Sequence, residues 1–109
     1  MGADTFYSRS SGKTANEAFS AARENAAYES GHGGYSGTIY EKHDFRSVSV
    51  PNVQGLPTEQ QAAEYANKLL GDEDHWVQDK WGPAACIEYA PKNPVKGLRC
   101  FIFFGWASS

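Results

Sequence analysis

The chain is 109 residues long with a formal net charge of -3, 40% hydrophobic and 21% charged, which fits a single domain over residues 1–109 whose core needs no metal or disulfide staple. Its longest apolar run, around Phe101–Ala107, falls far short of the roughly 20 residues that span a bilayer, and Met1–Ser11 lacks the basic and apolar regions of a secretory leader, so no membrane association and a cytoplasmic location are expected. Thirteen acidic residues against ten basic ones, with no local Lys or Arg cluster, set a nucleic-acid partner aside.

From the N-terminus, Thr5–Ser10 mixes aromatic and hydroxyl side chains ahead of a Ser-Gly turn and reads as a first strand. Thr14 and Glu17 form a capping box, and Ala15, Ala18, Phe19, Ala22 and Ala26 continue at helical spacing, so a helix is expected from Ala15 to about Ser30, stopped by Gly31. A glycine-rich loop then feeds strands at Gly37–Lys42 and Phe45–Val50. Thr58 and Gln61 repeat the capping box ahead of Ala62, Ala63, Ala66, Leu69 and Leu70, giving a second helix over Thr58–Leu70. Asp72–Asp74 reads as a solvated corner, and β-prone runs at His75–Trp81, Ala84–Ala90 and Leu98–Trp106 close the chain.

The order β-α-β-β-α-β-β-β, with short links between strands, predicts an α+β two-layer sandwich: two helices on one face of a largely antiparallel sheet of five to six strands. The aromatic content, six Phe, six Tyr and three Trp, complicates that picture. In the last strand Cys100, Ile102, Phe104 and Trp106 fall on one parity and Phe101 and Phe103 on the other, so both faces are apolar and both need cover. A curled sheet, a loop or a second copy could provide it. A homodimer through the open sheet face is the preferred expectation, with Phe101, Phe103, Trp106 and Trp76 as interface candidates. If the last two strands form a hairpin, Cys86 and Cys100 are expected to share a face; in a reducing cytoplasm they remain two thiols. Their spacing provides no zinc site, and no metal or cofactor is expected.

The densest local signal is Gly31–Gly37, with His32 and Tyr35 among four glycines. It follows a helix rather than preceding one, so the negative helix end disfavours a phosphate there. Glu29, His32, Gly33, Gly34, Tyr35 and Tyr40 are the candidate ligand- or partner-binding residues, and Glu29 with His32 has a helical i, i+3 spacing. Lys42, His43 and Asp44 fit a polar turn. No nucleophile elbow, Walker loop or HExxH run is present.

The segments Tyr28–Ile39, with its GHGGYSGTI run, Trp81–Ile87, and Phe103–Ser108, with FFGWAS, resemble small proteins encoded by bacteriophages and mobile elements. The resemblance implies an accessory factor acting inside a bacterial host cell and transfers no catalytic residue. The functional expectation is therefore a non-catalytic binding protein for a host protein or small ligand. The alternative is a small hydrolase using His32, Glu29 and Tyr35, with or without a metal.

Overall fold

Both helices begin where their capping residues place them. In a computed structural model that describes residues 2–30 and 36–109, residue 30 by its backbone alone, Thr14 Oγ1 accepts from the Glu17 amide at 3.1 Å and Glu17 Oε1 accepts from the Lys13 amide. Thr58 and Gln61 exchange the reciprocal bonds of a full capping box at 2.9 and 3.1 Å. The elements are β1 (Ala3–Gly12), α1 (Ala15–Ser30), a 3-10 turn (Ile39–Glu41), β2 (Phe45–Ser47), α2 (Glu59–Leu70), a second 3-10 turn (Trp76–Gln78), β3 (Ala84–Tyr89) and β4 (Arg99–Ser108). No helix among them is long and apolar enough to cross a membrane.

The fold is α+β, with a mixed sheet of four strands in the order β1-β4-β3-β2 rather than five to six largely antiparallel ones. β4 runs antiparallel to both its neighbours, and β2 pairs parallel with β3. α1 therefore carries the chain from β1 at one edge to β2 at the other, and α2 returns it from β2 to the adjacent β3. These two parallel crossovers travel in opposite directions, so a common handedness puts their helices on opposite faces.

The core clusters follow that geometry. Ala18, Phe19 and Ala22 of α1 pack with Cys86, Phe101 and Phe103, while Ala62, Ala66 and Leu69 of α2 pack with Ala85, Ile87, Ile102 and Phe104. The sheet is thus the middle of three layers, which corrects the expectation of both helices on one face. β4 is apolar on both sides because each side meets its own helix, so its two apolar faces do not require a second copy as cover.

Two expected strands are 3-10 turns. At Ile39–Glu41 the Thr38 hydroxyl accepts from the Tyr40 amide at 3.2 Å, a local bond that competes with strand pairing. At Trp76–Gln78 the His75 Nδ1 accepts from the Val77 amide at 3.1 Å, and the Gln78 side chain caps the carbonyls of Leu69 and Leu70 at the end of α2. The hairpin register pairs Tyr89 with Cys100 and Cys86 with Phe103, so the two thiols point to opposite faces and cannot be bridged.

A candidate binding cleft

The α1 face of the sheet is not covered along its whole length. α1 starts at Ala15, and beyond that residue lies a cleft of about 340 Å³ bounded by β2, the ends of β3 and β4, and the loop that leads to α2. Its floor is Cys86 and Phe101, its lip is Val53, Leu56 and Pro57, and the hydroxyls of Ser47 and Ser49 lie at its rim. Leu56 is about half exposed. Gly55 shapes the lip with φ of +70°, a conformation suited to glycine, in open space.

One wall carries charge. Register brings Glu88 opposite Phe101, with Arg99 two residues further along the same face. The Arg99 guanidinium donates through Nε and Nη2 to both carboxylate oxygens of Glu88, at 3.0 and 2.8 Å. It also lies 5.2 Å from the centre of the Phe101 ring. The bond to Glu88 raises the Arg99 pKa, and the Glu88 charge adds to the shift.

The thiol in the floor is inert at neutral pH. Burial pushes the Cys86 pKa up to about 12, the Glu88 charge adds to the shift, and Arg99 opposes it. A protonated, buried thiol is neither a nucleophile nor a metal ligand. The cleft thus combines an apolar lip with one bidentate ion pair and two serines.

The residues singled out from sequence are distributed differently. His32, Gly33, Gly34 and Tyr35 lie outside the described residues. Glu29 is exposed on the last turn of α1 and lines a separate groove of about 450 Å³ between α1 and β1, together with Gly37 and Thr38. Tyr40 lies beneath Arg23, whose Nη2 donates to its carbonyl at 3.2 Å and whose guanidinium faces its ring. Phe101 and Phe103 are core residues, 2% and 0% exposed, so they are not an interface surface. Trp106 is half-buried and donates to the Leu70 carbonyl, and Trp76 packs between Arg46 and His75 on the α2 side. Among the described residues no three His, Cys, Asp or Glu side chains gather as a metal site.

Sequence reading did not find Glu88, Arg99 or the Ser47–Pro57 wall, and it left Lys42 as a turn residue. Lys42 is buried, and its ammonium donates to the carbonyls of Asp79, Lys80 and Gly82 at 3.3, 3.2 and 2.9 Å. Burial lowers its pKa, with Asp79 opposing. The available signal for the ion pair was the opposite charge of Glu88 and Arg99 near the two ends of a predicted hairpin turn. Compared with family models, curated proteins and solved structures, the chain matches none.

Proposed function

We propose that the chain is a non-catalytic binding protein, a phage-type accessory factor acting inside a bacterial cell, and that its cleft beside Arg99 takes a small ligand or an anchoring side chain of a host protein. The observation that carries this reading is the cleft itself: about 340 Å³ of space over Cys86 and Phe101, with its only thiol held protonated. A ligand suited to it has an apolar body against Val53 and Leu56 and one neutral hydrogen-bonding group near Ser47 or Ser49. A free carboxylate would meet Glu88 and is disfavoured. The test is protein-observed NMR against a library of small neutral apolar compounds and against a bacterial metabolite extract. Shifts at Val50, Leu56 and Ile87 that vanish in a folded Ser49→Trp variant support the reading. An unresponsive cleft at millimolar ligand overturns it.

The hydrolase alternative draws on Glu29 lining the α1–β1 groove beside Gly37 and Thr38, where its carboxylate would meet a substrate held in that groove. It predicts that His32→Ala and Glu29→Gln each abolish turnover of ester or phosphoester probes. Equal turnover by the variants and the parent chain excludes it.

A further inference from the structure

The outer edge of β1 carries an inference independent of the cleft. β1 is ten residues long, lies at the end of the sheet, and pairs with β4 without interruption from Ala3–Ser108 to Gly12–Arg99. Edge strands are commonly blunted by proline, a bulge, short length or lysines. This one contains none of these, and its only charges are Asp4 and Arg9.

The hydrogen-bond phase of the edge can be read from its first pair. Gly2 and Ser109 exchange both backbone bonds, Gly2 N–H to Ser109 O at 3.4 Å and Ser109 N–H to Gly2 O at 3.1 Å. In an antiparallel ladder such pairs recur every second residue. Asp4, Phe6, Ser8, Ser10 and Gly12 therefore turn their backbone groups towards β4. Ala3, Thr5, Tyr7, Arg9 and Ser11 turn their N–H and C=O groups outward, where no strand among the described residues meets them.

We propose that this edge pairs antiparallel with β1 of a second copy of the chain, about a two-fold axis through Tyr7 normal to the sheet, joining the two sheets into one. A two-fold axis of this kind matches residues of equal parity. With the axis at Tyr7, Tyr7 meets Tyr7 of the second copy, Thr5 meets its Arg9, and Ala3 meets its Ser11. This register pairs every outward group on both chains. Moving the axis by one residue in either direction leaves a residue on each chain unpaired.

Charge order selects a second copy and an antiparallel sense. Asp4 lies near the start of the strand and Lys13 just beyond its end, while Arg9 is held by Glu59 of its own chain at 2.7 Å, so antiparallel pairing brings the lysine end of one copy to the acidic end of the other. Parallel pairing would set like against like. Tyr7, 41% exposed on the α2 side of the sheet, lies beside its own symmetry mate.

The test combines light scattering of the full chain, from about 1 to about 200 μM, with cysteine cross-linking. The expected mass at the upper concentration is twice 11.9 kDa. Tyr7→Lys, which sets two ammonium groups together on the axis, should return the single-chain mass with its circular dichroism unchanged. Tyr7→Cys should form a disulfide-linked dimer rapidly under mild oxidation, because directly bonded partners have Cα atoms about 5.5 Å apart, within disulfide range. Asp4→Cys should not, because six residue steps separate it from its counterpart, roughly 20 Å. A single-chain mass throughout, a Tyr7→Lys chain that stays dimeric, or Tyr7→Cys cross-linking no faster than Asp4→Cys would each overturn the proposal.

Discussion

Lys42 shows how a charge is kept inside a small core. Its three ammonium protons meet three carbonyls of the Asp79–Gly82 turn, so the cost of desolvation is offset by bonds that no neutral side chain of that length could make. Lys42→Met leaves the carbonyls without a partner and should lower stability by about 2 kcal/mol, read as a shift in the urea midpoint. Lys42→Arg should not restore it, since a planar guanidinium does not match three converging acceptors. Cys86 provides a second test at this scale. The folded chain keeps its thiol proton to about 12, against 9.0 for an unperturbed thiol. As pH rises through that interval the unfolded state loses a proton that the folded state retains, so stability falls with pH. Urea midpoints measured at about pH 8 and about pH 11 should diverge more for the parent chain than for Cys86→Ala. Equal divergence would show that Cys86 titrates normally.

At the scale of elements, β4 organises the molecule. Phe103 is buried on the α1 side and Phe104 on the α2 side, each fully enclosed. Phe103→Ala and Phe104→Ala should therefore cost about the same, each about 3–5 kcal/mol, measured by chemical denaturation. A sheet with one open face would show a large cost for one and little for the other. The capping boxes at Thr14 and Thr58 made both helices legible in the sequence, and the two apolar parities of β4 made its double cover legible. The identity of the cover was not, because which face a helix takes depends on the direction in which each crossover travels, and strand order is not written in any local pattern. Ile39–Glu41 and Trp76–Gln78 misled for a different reason: β-branched and aromatic residues raised strand propensity, while the Thr38 hydroxyl and the His75 ring supplied local bonds that outweighed it. The cleft was hidden by register. Placing Cys86 and Cys100 on one face slips the hairpin by one residue, which also separates Glu88 from Arg99; the true pairing reverses both relations.

Across the whole molecule, the longest ladder joins the two strands farthest apart in sequence. Even the nearest partners in it, Gly12 and Arg99, are separated by most of the chain, so the sheet cannot close on its central strand until a loop on the order of 90 residues has been ordered. This topology favours slow folding, in the millisecond-to-second range of proteins dominated by distant contacts. Gly2 and Ser109 already exchange backbone bonds, so a turn of a few residues could join them. New ends between Gln54 and Gly55, both exposed, would leave β3, β4 and β1 as consecutive hairpins. Such a circular permutant should keep the fold and refold faster by about an order of magnitude in stopped-flow fluorescence. An unchanged rate would place the barrier elsewhere, in the short parallel contact between β2 and β3. The bond between Gly2 and Ser109 thus marks the point at which the order of the chain, rather than its chemistry, sets the speed of assembly.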